Sequence, residues 1–152
     1  MGKYYSPDGN YEVWGEKPAG YYTKEEWDAL HPAPEPPLDE VKAAKIAELK
    51  GIRDAKEVEP IATDKGLFDY DEKARDRLAI ARQALEDADG AGTITWTTAD
   101  NQRVPLGIAD FAAINAAAAT RSNSLHVTYN ELKARVNAAQ TAADVRAIVW
   151  PS

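Results

Sequence analysis

Ser122, Ser124 and His126 stand close together in the chain, and they are the residue types from which a serine nucleophile and its general base are built. Such a pair needs the serine raised on a sharp turn and a third group that orients the imidazole. There is no Gly-x-Ser-x-Gly elbow, and the surrounding residues read as helix. His31 and His126 are the only histidines and lie far apart, so no His-x-x-x-His pair exists to present two imidazoles to a metal. Asp64, Asp69, Asp71 and Asp76 raise calcium as a candidate ligand. They lack the alternating acidic positions, central glycine and closing glutamate of an EF-hand loop, and turn or cap roles account for them. Asp69 with Glu72 forms a carboxylate pair at a helix start, where acids complement the helix dipole. Gly90 and Gly92 are not followed by Gly-Lys-Ser/Thr, so they form no phosphate loop. These patterns yield no catalytic residue, no cofactor-binding residue and no metal ligand, and we expect a chain that is not an enzyme and carries no cofactor.

Bulk properties point the same way. Eighteen Lys and Arg stand against 25 Asp and Glu over 152 residues, a formal net charge of −7. Affinity for nucleic acid comes mainly from cations that neutralise phosphates, so nucleic acid is not an expected partner. Without cysteine there is neither a disulfide framework nor a thiolate ligand. The opening "MGKYYSPDGNYEVW" lacks the apolar run of a signal peptide, and no window reaches the roughly 18 apolar residues of a membrane-spanning helix. We expect a soluble protein with no membrane insertion.

The elements that position these side chains divide at the prolines. Residues 1–31 hold Tyr4, Tyr5, Tyr11, Trp14, Tyr21, Tyr22 and Trp27. Strand-like pieces at 3–6 and 10–14 flank "PDGN", where Pro7 presets φ and Gly9 accepts a positive one, which predicts a hairpin. Thr23 precedes Glu26 by three, the capping-box spacing, so "TKEEWDALH" should be a short helix ending before Pro32. About thirty residues cannot hold a core alone. "PAPEPP" (32–37) is a stiff extended spacer.

Beyond it, 38–59 reads as a helix with Leu38, Val41, Leu49 and Ile52 on one side, Ile46 at the edge, and Pro60 as the stop. A small hairpin is expected around Asp64-Lys65-Gly66, then a helix capped by Asp71 with a seam of Ala74, Leu78, Ala81, Leu85 and Ala88, ended by Gly90 and Gly92. A long alanine-rich helix should bury Ile108, Phe111, Asn115, Ala118, Ser122, Leu125, Tyr129, Leu132, Val136 and Ala139, with a bend or break at "RSNS" (121–124). A short helix from Thr141 to Val149 closes the chain.

Between these helices lies "TITWTTADNQRVPL" (93–106). Ile94, Trp96, Val104 and Leu106 share one pleat face, while Thr93, Thr95, Thr97, Arg103 and Pro105 share the other, and Asp100-Asn101 suit the turn. A lone hairpin is marginal in water, so its apolar face must cover a helical surface. The expected fold is α+β: an N-terminal aromatic hairpin and helix docking module (1–31), a Pro-rich linker (32–37), and a mainly α-helical domain with two short β-hairpins (38–152).

Residues from about Val41 to Trp150 resemble an uncharacterised domain family found in tail-fibre and tail-fibre-assembly genes of tailed bacteriophages. The likeness rests on "IRDAKEVEPI" (52–61), "GLFDYDEKARDRLAIARQAL" (66–85), "ITWTTADNQRVPL" (94–106), "IADFAAINAA" (108–117), "SLHVTYNELKARVNAAQTAADVRAI" (124–148) and Trp150. Residues 1–37 are separately similar to the opening of phage tail-fibre assembly proteins, with a Tyr-Tyr-Ser hairpin, a Thr-x-Glu-Glu-Trp helix and a Pro-rich linker. The family has no established catalytic residues to carry over. The resemblance implies a chaperone-like assembly factor that binds the end of a trimeric tail-fibre protein. It would act in the host cytoplasm during assembly, with retention on the virion tail left open. The expected contact residues are Tyr4, Tyr5, Tyr11, Trp14 and Trp27, which could equally pack within the chain. Two further expectations stand beside this one: a structural tail or fibre component for host attachment, homo-oligomerising through its helical seams, and aromatics that stack on a host-surface glycan.

Overall fold

The computed structural model describes residues 2–152, and the chain divides into two compact units, one up to Pro37 and one from Leu38 to Ser152. The fold is α+β, with three two-stranded antiparallel sheets and five helices among the described residues.

In the first unit β1 (Gly2–Tyr5) pairs with β2 (Glu12–Gly15), and α1 spans Lys24–Leu30. The loop between the strands closes where the Gly9 N–H donates to the Ser6 carbonyl at 3.0 Å. Gly9 takes φ +75°, and a Cβ there would meet the Trp27 ring at 3.0 Å, so both backbone and space require glycine. The expected capping box is present: the Glu26 N–H donates to Thr23 Oγ1 at 3.1 Å, and the Glu26 carboxylate accepts from the Thr23 N–H at 2.8 Å.

The second unit is organised on one long helix. α2 (Leu38–Glu57), β3 (Ile61–Thr63), β4 (Gly66–Phe68), α3 (Glu72–Asp87), β5 (Ile94–Thr97) and β6 (Arg103–Leu106) precede α4 (Ile108–Ala138), and α5 (Ala142–Ala147) follows. One cluster gathers Leu78, Ala81 and Leu85 of α3 with Phe111, Ile114 and Ala118 of α4, closed over by Ile61, Phe68 and Leu106 of the hairpins. The other sets Leu49 of α2 against Tyr129, Leu132 and Val136 of α4 and Val145 and Ile148 at the end of the chain. The N-terminal half of α4 thus serves α3 and the hairpins, and its C-terminal half serves α2 and α5.

The hairpin at 93–106 has the expected two faces, and its register sets Ile94 opposite Leu106 and Trp96 opposite Val104. Trp96 meets Phe111 edge-on, ring centroids 5.6 Å apart. Thr98, buried at the turn, donates its hydroxyl to Asp100 and accepts from the Gln102 N–H at 3.0 Å. The Ala99 N–H donates to the Leu67 carbonyl at 2.7 Å, which ties the two small hairpins together.

Several sequence expectations need correction. α4 runs without a break through 121–124. Asn115 is exposed and Ile114 takes the interior position, because a buried amide without partners costs more than a shift of one residue around the helix. α3 ends at Asp87, leaving Ala88 exposed and outside the seam. Its C-terminus is closed by Asp89 in the left-handed region at φ 56°, with Gly90 N–H donating to the Leu85 carbonyl at 2.7 Å and Asp89 N–H to the Glu86 carbonyl at 3.0 Å. α2 stops at Glu57, and α5 stops at Ala147 rather than Val149.

The polar run in α4 has a use. Arg121 donates to the carbonyls of Glu57 at 2.6 Å and of Glu59 and Pro60 at 2.7 and 3.2 Å, at and just beyond the C-terminal end of α2. Those carbonyls have no intrahelical partner, and a cation there also complements the helix dipole. Lys42 Nζ reaches the Asn137 carbonyl at 2.9 Å, so α2 runs antiparallel to α4 and is pinned at both ends.

Two stability changes follow. Arg121→Ala should cost about 1–2 kcal/mol in denaturant unfolding, and Arg121→Lys should recover only part of it, because one ammonium cannot span three carbonyls as a guanidinium fork does. Asp89→Gly should raise the thermal midpoint by a stability gain of about 0.5–1 kcal/mol, since it removes both a left-handed non-glycine residue and an acid from a helix C-terminus.

Candidate partner-binding surfaces

The five aromatics proposed for partner contact fall into two groups. Tyr5 and Trp27 are half-buried and stack on each other at 5.6 Å, with Tyr22 at 6.1 Å and the His31 imidazole at 3.8 Å completing the group around Trp27. Tyr5 also exchanges backbone hydrogen bonds with Tyr22, both at 2.9 Å. These residues hold the small unit together. Tyr4 is half-buried, with Gly2 beneath its ring. Tyr11 and Trp14 are the outward-facing members, 65% and 73% exposed.

The electrostatics of this unit come from short local pairs. Lys3 Nζ lies 2.6 Å from the Glu12 carboxylate, whose hydrogen bond lifts the lysine above its ordinary range. Asp28 does the same for Lys24. The Lys17 ammonium, together with the Thr23 N–H, holds Glu26 below the ordinary glutamate range. The Ser6 hydroxyl, followed by the Asn10 amide, holds Asp8 low. A cleft of about 440 Å³ opens beside the Lys17–Glu26 pair, lined also by Tyr21, Tyr22 and Leu30.

In the second unit a cleft of about 230 Å³ is lined by Glu57, Tyr70, Arg75, Asn115, Arg121 and Ser122. Its Glu57 carboxylate contacts two of the residues first weighed as a nucleophile and base. Ser122 Oγ donates to Glu57 Oε1 at 2.6 Å, and His126 Nε2 lies 3.1 Å from the same oxygen. The carboxylate therefore stands between serine and imidazole and itself accepts from the serine hydroxyl, so the imidazole does not sit on that hydroxyl as the general base of a serine–histidine pair would. The Arg75 and Arg121 guanidinium groups both approach the Tyr70 ring, 5.9 and 5.6 Å from its centre. Residue-type reasoning passed over Glu57, Tyr70 and Arg121. The signal that marks them is the polar interruption of an otherwise apolar helical seam at Arg121 and Ser122.

Of the acidic residues weighed for calcium, Asp71 caps α3 by accepting from the Ala74 N–H at 2.8 Å. Among the described residues no three His, Asp or Glu side chains are grouped to hold a metal ion, and no helix is long and apolar enough to cross a membrane.

Residues 40–149 match the family described as Domain of unknown function (DUF4376). No curated protein and no solved structure matches the chain. The matched span lies within the second unit and leaves the aromatic module outside it.

The lowered carboxyls set an acid limit on the module. A group whose folded pKa is depressed contributes stability above its unfolded pKa and loses it as pH falls through the folded one. Glu26 should therefore support the cap of α1 at neutral pH and release it below its ordinary value of 4.5. Acid titration followed by Trp27 fluorescence should show this limb, and Glu26→Gln should weaken the module at neutral pH and flatten the acid response, leaving the Asp8 contribution.

Proposed function

The chain belongs to the DUF4376 family, and we propose that it is a tail-fibre assembly factor of a tailed bacteriophage, acting by binding rather than by catalysis. In this reading it grips the end of a trimeric fibre in the host cytoplasm while the fibre tip folds. Intertwined tips form slowly through non-local pairings and expose apolar edges meanwhile, which a small clamp would cover.

The sequence resemblance suggests the fibre. The structural observation that supports a gripping role is the contrast in how apolar side chains are used. Leu49 and Val136 are fully buried inside the second unit, whose exposed large apolar side chains are aliphatic (Val58, Leu67, Ile80, Val127 and Val149), whereas the first unit turns out two aromatics, Tyr11 and Trp14. Exposed aromatics of this kind are common anchors at interfaces because they bring large rigid area and a polar tip. The burial of Leu49 and Val136 also favours this reading over a structural component that oligomerises through the same seams.

Co-expression with the neighbouring fibre gene tests the reading. Soluble trimeric fibre should depend on this chain, and a Tyr11→Ala, Trp14→Ala double change should weaken co-purification by about 30-fold, the loss expected from about 2 kcal/mol of anchor contact. Soluble trimer that forms equally well without the chain would remove the proposal. An obligate trimer of this chain in a solution-mass measurement would turn it towards a structural tail component. Binding to a host-surface glycan that the double change abolishes, with no fibre retained, would turn it towards receptor recognition.

A further inference from the structure

β2 carries an open edge, and the hydrogen-bond pattern of the hairpin shows which groups face out from it. Tyr5 spends both its N–H and its carbonyl on Tyr22, each at 2.9 Å, so it cannot also bond across to Glu12, its partner in the register. Antiparallel ladders alternate bonded and non-bonded pairs. Tyr5–Glu12 and Lys3–Trp14 are therefore the non-bonded pairs, and Tyr4–Val13 lies between them as a bonded one. It follows that the backbone N–H and carbonyl groups of Glu12 and Trp14 point away from β1. Among the described residues, none donates to or accepts from them.

Three other hairpin strands are handled differently. β1 is closed at Tyr5 by Tyr22. In β6, Pro105 stands opposite Thr95 and has no N–H to offer, and in β4 the Leu67 carbonyl is taken by the Ala99 N–H. Among the described strands, β2 combines successive outward backbone groups with a large exposed aromatic side chain, Trp14.

We propose that the β2 edge, through the backbone of Glu12 and Trp14, adds one extended strand of a foreign protein, with an aromatic or branched apolar residue opposite Trp14 and a lysine or arginine opposite Glu12. This deepens the binding role proposed above and rests on it. Main-chain bonds supply affinity in such an addition, and alternate side chains supply selectivity. Charge decides the occupant. Lys3 pairs with one oxygen of Glu12, but Glu16 is exposed just beyond it and residues 1–37 carry three Lys against seven Asp and Glu, so a second copy would set acidic unit against acidic unit, whereas a cationic strand is attracted.

The probe is a blocked peptide, Thr-Lys-Thr-Tyr-Thr-Lys-Thr, titrated into the full chain while backbone amides are followed by NMR. Binding should appear with a dissociation constant of about 1 mM or tighter. The Glu12 and Trp14 amides should shift and slow their exchange with solvent, while that of Val13, already bonded within the hairpin, changes little. Glu12→Pro removes an outward donor at a position the ladder does not use, as Pro105 does in β6, and should weaken the peptide by about ten-fold. The proposal is overturned by no binding at millimolar peptide, by binding without protection at Glu12 and Trp14, or by a dimer of the chain alone formed through β2. Protection is read on the unaltered chain, so the result stands even where the proline variant fails to fold. Soluble fibre that forms equally well without the chain would count against the assembly role alone, and absence of amide protection at Glu12 and Trp14 against the edge alone.

Discussion

One helix carries both cores, and its middle is polar. α4 has 31 residues, about 46 Å of helix at 1.5 Å per residue, with an apolar cluster on each half. A helix that long would be expected to bury one uninterrupted seam. Instead the junction holds Arg121 and Ser122, which satisfy the end of α2 and the Glu57 carboxylate. The arrangement follows from where α2 stops. Its last carbonyls arrive against the middle of α4, and a side chain with several donors is the economical way to pair them. Arg53 adds to the attachment, its guanidinium lying 4.7 Å from the Tyr129 ring centre on the same helix pair.

Much of this was legible in the residues. Alternation placed the 93–106 hairpin and its two faces correctly, because a strand buried on one side leaves little freedom of register. The caps at Thr23, Asp71 and Thr141 were equally readable, since a hydroxyl or carboxylate at that spacing has a local role independent of the rest of the fold. What escaped is what depends on distant partners. Arg121 and Ser122 looked like a weakness in a helix because their partners lie more than sixty residues earlier in the chain. The interior choice between Ile114 and Asn115 turns on the neighbour that α3 presents, and periodicity alone does not resolve it.

The first unit illustrates a different limit. Below about 40 residues a chain struggles to build a core from apolar burial alone. Here stacking around Trp27, a backbone bridge between Tyr5 and Tyr22, and a capping box stand in for a core. Aromatics that the sequence offered as contacts are therefore divided between holding the unit together and facing outward. Composition counts them alike, and only the pairing of Tyr5 with Trp27 separates them.

The link between Ala99 and Leu67 bears on the order in which the second unit assembles. Neither two-stranded ribbon is expected to persist by itself. The 31 residues between the bonded pair include all of α3, so closing this loop becomes cheaper once that helix has condensed onto α4. The helices of this unit would then fold first as a scaffold, and the ribbons would lock together late, as its final step.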